Sequence, residues 1–235
     1  MCGSLAQSVE QRTVNPCVAG SSPARAETKM LTIGEHLFFN MTKQEIRQEI
    51  KVLCSQNARQ LAKKSADICN KILKSTEYKA STEIYAYMAL PDEVDLTEVI
   101  KTALKDEKKV ALPKIISKED GIIKFFYLDS QKTLTQQTAT GTFGILEPDE
   151  TLPATPDSAQ NTLILVPGRA FTKEGDRLGR GKGYYDRYLA KEIVGSSPTM
   201  TRLPNVAIAG VCFDFQIKKS LPTNDRDIKM DIVFY

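Results

Sequence analysis

The chain has 235 residues, 41% of them hydrophobic, and its 32 basic and 29 acidic side chains leave a formal net charge of +3. That length and apolar content suit one α/β domain with a sizeable core, and so mild a positive excess does not point to a nucleic-acid or membrane partner. No apolar run approaches the ~20 residues needed to cross a bilayer, and a single histidine, His36, excludes a histidine-based triad or a His-rich metal site.

Residues 1–28 show neither helix nor strand periodicity and no hydrophobic signal-peptide core. Arg12 and Arg25 would suit a transit peptide, but Glu10 and Glu27 argue against one. The run SVEQRTVNPCVAGSSPARA resembles the conceptual translation of a transfer-RNA gene, whose T-loop sequence in this frame reads Gly-Ser-Ser-Pro, as at Gly20–Pro23. The expectation is a disordered extension over residues 1–40, with the native product starting at Met30 or Met41, followed by one domain over 41–235. The cysteines, at positions 2, 17, 54, 69 and 212, lie in no metal-ligand spacing, and Cys69 and Cys212 read as small core hydrophobes in a reduced compartment.

Thr42 and Glu45 form a capping-box pattern ahead of a helix to about Ala58, with Ile46, Ile50 and Leu53 on one face. Lys43 and Arg47 lie four apart on it, so both can reach one ligand, although solvated surface positives are the commoner outcome. A second helix is expected over Arg59–Leu73. Ile84–Ala89 is a β-prone run that breaks at Leu90–Pro91–Asp92–Glu93, and Asp95–Ala103 reads as a helix. A strand running into a carboxylate-bearing loop is where an open α/β sheet presents ligand contacts, yet Glu93 taken alone is more often a surface or turn acid. Val110–Ile115 and Ile122–Leu128 read as strands. Thr140–Pro148, TGTFGILEP, is a shaped loop in which Phe143 and Ile145 either pack the turn or meet a ligand, and Glu147 either anchors the loop or touches that ligand. Pro153–Ser158 is a polar linker within the domain.

Leu163–Asp186, LILVPGRAFTKEGDRLGRGKGYYD, carries the densest chemistry. A short apolar strand, Leu163–Val166, ends at the Pro167–Gly168 turn, and Arg177, Gly179, Arg180, Gly181, Lys182 and Gly183 then fall within seven positions. Alternate glycines let backbone approach a ligand, and the cations among them suit a phosphate chain. The spacing matches neither the Walker A pattern nor the dinucleotide GxGxxG fingerprint. A helix follows over Tyr185–Ile193, broken at Gly195–Thr199. Val206–Cys212 reads as a strand buried on both faces and Ile228–Phe234 as a closing one. The recurring strand-then-helix order predicts a three-layer α/β architecture with a mostly parallel sheet, of unspecified strand order.

Pro167–Gly168, Phe171, Gly175, Arg177–Asp186 and Leu189 resemble, in order and spacing, the hallmark of the 5-formyltetrahydrofolate cyclo-ligase family, and the likeness extends over about residues 42–234. The resemblance implies a Rossmann-like fold and the ATP- and Mg2+-dependent closure of 5-formyltetrahydrofolate to 5,10-methenyltetrahydrofolate, in the cytoplasm, by a monomer. It assigns Arg177, Arg180 and Lys182 to the triphosphate and the charge that develops during transfer. Lys43, Arg47, Gly179, Gly181, Gly183, Tyr184 and Tyr185 complete the implied ATP site, although Tyr185 suits the core equally well. Met88, Glu93 and Phe143, with Arg180 and Tyr184, would meet the folate, and Asp186 and Asp227 the Mg2+. Phe143 stands where many relatives have Trp; a phenyl ring still stacks, with less area and no indole N–H. Arg226 precedes Asp227 where the family often has His, which puts the neighbouring contact in doubt. Two rivals remain at this point: a sugar-phosphate isomerase or CoA-transferase-like enzyme on a similar sheet, and a non-catalytic folate- or nucleotide-binding regulator.

Overall fold

The computed structural model describes residues 41–156, 161–194, 205–224 and 227–235. The expectations for residues 1–40, for the break at Gly195–Thr199, for Arg226 and for the end of the Pro153–Ser158 linker fall outside them.

The described chain opens with helix α1 (Lys43–Gln56), and the expected capping box is present: Thr42 Oγ1 accepts from the Glu45 N–H at 3.2 Å and the Thr42 N–H donates to Glu45 Oε2 at 2.7 Å. A 3-10 turn at Ala58–Gln60 leads into α2 (Leu61–Lys74), and a short α3 (Thr76–Ala80) precedes strand β1 (Glu83–Tyr85). Next come α4 (Thr97–Lys105), β2 (Lys109–Ser117), β3 (Ile122–Tyr127), α5 (Leu134–Gln137), β4 (Thr138–Thr140) and β5 (Leu146–Pro148). The chain continues through β6 (Thr162–Pro167), β7 (Ala170–Phe171), β8 (Arg177–Leu178) and α6 (Tyr184–Tyr188), which runs into a π-helical turn at Leu189–Val194. Strands β9 (Val206–Val211) and β10 (Ile232–Phe234) close it.

The fold is mixed α/β, with a central sheet and flanking helices. Strand order in that sheet is β10-β9-β6-β1-β2-β3; β3 runs antiparallel to β2 and the other neighbours pair parallel. Successive strand residues face opposite sides. Ile84, Val110, Leu163 and Ala209 pack with Ile68 and Ile72 of α2 and Val99 and Ile100 of α4. Tyr85, Ala111, Ile164 and Ile208 pack with Tyr188, Leu189 and Ile193 after the glycine loop. Ile46, Ile50 and Cys54 of α1 close a third cluster on Ala170 and Leu178, so α1 rests against the hairpin that carries the loop. Cys69 and Cys212 are buried, as expected of core residues.

The structure corrects several boundaries. The run at Ile84–Ala89 is a strand only to Tyr85. The Lys109 N–H donates to Thr82 O and the Ala86 N–H to Ala111 O; the next rung would come from residue 113, and Pro113 has no N–H, so the chain leaves the sheet there. The closing strand shrinks to Ile232–Phe234 because the Met230 N–H donates instead to Gly175 O at 2.9 Å. The Thr140–Pro148 loop is the tip of the β4–β5 hairpin.

Candidate functional site

Parallel strands β1 and β6 are neighbours, and the segments leaving their carboxyl ends build one site. From β1 comes Ala86–Glu93, turned by the Glu93 N–H to Leu90 O bond of 2.9 Å and by Glu93 Oε2 accepting the Leu90 N–H at 3.0 Å. From β6 comes the Pro167–Gly168 turn, the β7–β8 hairpin and the glycine loop. Gly181 and Gly183 sit at φ +100° and +70°, a region that glycine enters without strain, and Gly183 caps the start of α6. The Arg187 guanidinium then ties α6 to Gly121 O in the β2–β3 turn at 3.0 Å.

These segments enclose a cavity of about 380 Å3. Met88, Glu93, Phe143, Arg177, Gly179, Arg180, Lys182, Gly183, Tyr184, Tyr185 and Asp186 all line it, joined by Ile115, Ile145 and Glu147. Sequence segments nearly a hundred positions apart therefore meet at one surface. Lys43, Arg47, Gly181 and Asp227 are not among the lining residues. Gly181 is part of the loop itself, Arg47 touches the loop through Nε, which donates to Gly179 O at 2.9 Å, and Lys43 Nζ pairs with Asp227 Oδ2 at 2.8 Å.

The loop cations occupy three different environments. Arg177 is buried, with its guanidinium donating to Pro167 O at 3.0 Å and to Asp186 Oδ1 at 2.8 Å and lying over the Tyr185 ring. Arg180 spans two acids: Nε donates to Glu93 Oε1 at 2.8 Å and Nη2 to Asp92 Oδ1. Lys182 is exposed, with no side-chain partner among the described residues. Burial pushes the Asp92 carboxyl up, but Arg180 and Arg169 together outweigh it and hold the group below the usual carboxylate range. Burial pushes Glu147 up; its Oε1 accepts the Thr142 N–H at 3.2 Å, which holds the hairpin tip over the cavity. The Tyr185 hydroxyl is buried without a hydrogen-bond partner among the described residues, and burial drives its pKa well upward.

Sequence reasoning missed Asp92 and Arg169 as members of the site. The available signals were an acidic doublet just past the apolar run Ile84–Ala89 and an arginine in the turn after β6, but their pairing joins positions 77 residues apart.

Among the described residues no group of three or more His, Cys, Asp or Glu gathers to hold a metal. Mg2+ bridging phosphates needs only one or two carboxylates, because waters and phosphate oxygens complete its shell. Asp186 gives Oδ1 to Arg177, and Asp227 gives Oδ2 to Lys43 and the Asn224 N–H, which leaves each acid one oxygen without a protein donor among the described residues. That donor chemistry fits the ion.

Comparison with known proteins agrees with this architecture. The model of the 5-formyltetrahydrofolate cyclo-ligase family matches residues 40–235. A relative in Schizosaccharomyces pombe is 33% identical over 171 residues, covering 71% of this chain and 81% of its own length. Mouse 5-formyltetrahydrofolate cyclo-ligase is 29% identical, with 83% of this chain and 94% of that protein covered. The solved structure of Aquifex aeolicus 5,10-methenyltetrahydrofolate synthetase is similar with a TM-score of 0.65 at 30% identity, over 82% of this chain and 89% of that one. With the motif, the sheet and the family match in agreement, the chain belongs to the 5-formyltetrahydrofolate cyclo-ligase family.

Proposed function

We propose that this protein closes 5-formyltetrahydrofolate to 5,10-methenyltetrahydrofolate at the expense of ATP, releasing ADP and phosphate. One observation carries the reading: the cationic glycine loop and the apolar, acid-bearing wall of Met88, Glu93 and Phe143 line the same cavity. Family membership supports it.

The N5 formyl group is amide-like, so its carbon is a poor electrophile and its oxygen a poor leaving group. Transfer of the γ-phosphoryl to that oxygen removes both obstacles. N10 then attacks the formyl carbon and gives up its proton, and phosphate departs with the former formyl oxygen. No protein nucleophile is required; catalysis is positioning and charge stabilisation in a site that excludes water. Lys182, exposed and unpartnered among the described residues, suits the transferring group, and Arg180 the phosphates at the folate boundary. Arg177, pinned on both sides, serves as a fixed positive centre. Arg47 holds the loop through Gly179 O, and Lys43, four residues earlier on α1, pairs with Asp227. Glu93, Met88, Phe143 and Tyr184 would receive the pterin. Mg2+, when bound, neutralises phosphate charge; Asp186 and Asp227 would hold it.

The same reading takes residues 41–235 as one cyclo-ligase domain in a three-layer Rossmann-like arrangement, acting as a cytoplasmic monomer. Apolar clusters on both faces of the sheet support the layering. The test is absorbance of the purified protein with 5-formyltetrahydrofolate, Mg2+ and ATP, since the methenyl product has a long-wavelength chromophore that the substrate lacks. An ATP-dependent rise is expected. Folate binding with no rise would favour a regulator instead.

A further inference from the structure

Arg169 lies in the turn between β6 and β7, outside the set of residues that line the cavity, yet it touches the site's charge network. Its Nη1 donates to Asp92 Oδ2, while the other oxygen of the same carboxylate accepts from Arg180 Nη2. Arg180 Nε also holds Glu93 Oε1 at 2.8 Å. Two guanidiniums and two carboxylates thus form a neutral quartet at the cavity edge. Its two arginines are held differently. Arg169 is pinned at the backbone: its N–H donates to Leu178 O at 2.7 Å, and its carbonyl accepts from Nε2 of the buried Gln216 at 2.9 Å. Its side chain is 13% exposed against 32% for Arg180, which lines the cavity.

We propose that Arg169 is a positioning residue: by sharing the Asp92 carboxylate it limits how tightly the Asp92–Glu93 pair holds Arg180, so that Arg180 can turn to an arriving phosphate. This rests on the reading that the cavity takes ATP. An anionic ligand must compete with both acids for Arg180. With Arg169 present, half of the Asp92 charge is already answered. Without it, Arg180 becomes the only counter-ion, among the described residues, of two part-buried carboxylates, and each of its hydrogen bonds to them is charge-assisted on both sides. Arg169 therefore acts on ATP through Asp92 alone, and that gives its removal a distinctive signature.

The test is the Mg2+-ATP affinity of the full chain by titration calorimetry, with kcat and KM for ATP measured alongside. Arg169→Met should weaken ATP binding on the order of tenfold, the scale of one charge-assisted hydrogen bond, while kcat at saturating ATP changes far less. Arg169→Lys, which keeps the charge, should stay within about threefold of the parent. Asp92→Asn should bind ATP at least as tightly as the parent, and the Arg169→Met/Asp92→Asn double variant should match Asp92→Asn. A merely structural role would carry its loss into the double variant and leave it weaker than Asp92→Asn. Parental affinity in Arg169→Met overturns the proposal, and so does a double variant weaker than Asp92→Asn, a comparison that stands even if Arg169→Met alone fails to fold. A parent protein that binds ATP but forms no methenyl product contradicts the enzymatic reading, and the affinities still decide the role of Arg169.

Discussion

Glu147 shows how a single side chain can be legible in kind but not in role. Its place in a glycine-bounded segment marked it as either an anchor or a ligand contact, and in the structure it both accepts from the Thr142 N–H and lines the cavity, with Gly141 so close that a Cβ there would lie 2.4 Å from the carboxyl carbon. Burial raises its carboxyl pKa, against the pull of the Thr142 N–H and Lys114. A carboxyl raised in the folded state binds its proton more tightly there than in the unfolded chain. Its effect on stability is therefore most favourable below the unfolded value of about 4.3 and declines as pH rises through the folded one. Glu147→Gln keeps an acceptor for Thr142 and removes the ionisation, so it should raise Tm by roughly 1–3 °C at neutral pH, with the gain vanishing below about pH 4. Superimposable profiles of Tm against pH for the two proteins would contradict this. Lys182 and Arg180 were readable as phosphate-type residues because cations among alternate glycines are a local pattern. The partners of Arg180 were not, since Asp92 and Glu93 reach it across 88 and 87 positions.

At the scale of elements, the sequence signals that carried were those written in adjacent residues. The capping box marked the start of α1, and the apolar run before Pro167–Gly168 marked β6 as a strand. The β7–β8 hairpin went unread, because strands of two residues leave no periodicity. Its turn depends on Gly175, at φ +95°, where an added Cβ would stand 2.1 Å from Met230 O. The Gly175 carbonyl also accepts the Met230 N–H, so the turn and the approach to β10 are built on one another. Gly175→Ala combines a positive-φ penalty with a backbone collision that no side-chain movement relieves. Chemical denaturation should show a loss of about 2 kcal/mol or more, and a loss under about 0.5 kcal/mol, the ordinary surface range, would mean that the turn is not constrained as described. The early end of β1 was readable in principle: Pro113 lies where β2 would have donated the next rung, but only a known register says which strand that proline interrupts.

For the whole molecule, the β10-β9-β6-β1-β2-β3 order gathers a site whose chemistry needs neither a histidine triad nor a protein nucleophile. Placing β1 beside β6 brings an acid doublet and a cationic loop to the same end of the sheet, and the antiparallel β2–β3 pair carries the turn that secures α6. Strand order was not legible: parallel neighbours distant in sequence leave no local mark. The recurring strand-then-helix order pointed to an α/β sheet, and the resemblance over the glycine loop implied a Rossmann-like form of it. What the assembled site is for turns on where the formyl oxygen goes. With 5-formyltetrahydrofolate carrying 18O in the formyl group, the account predicts that each turnover with ATP and Mg2+ releases inorganic phosphate bearing one 18O atom. Methenyl product formed while the label appears in water and the phosphate stays unlabelled would contradict it.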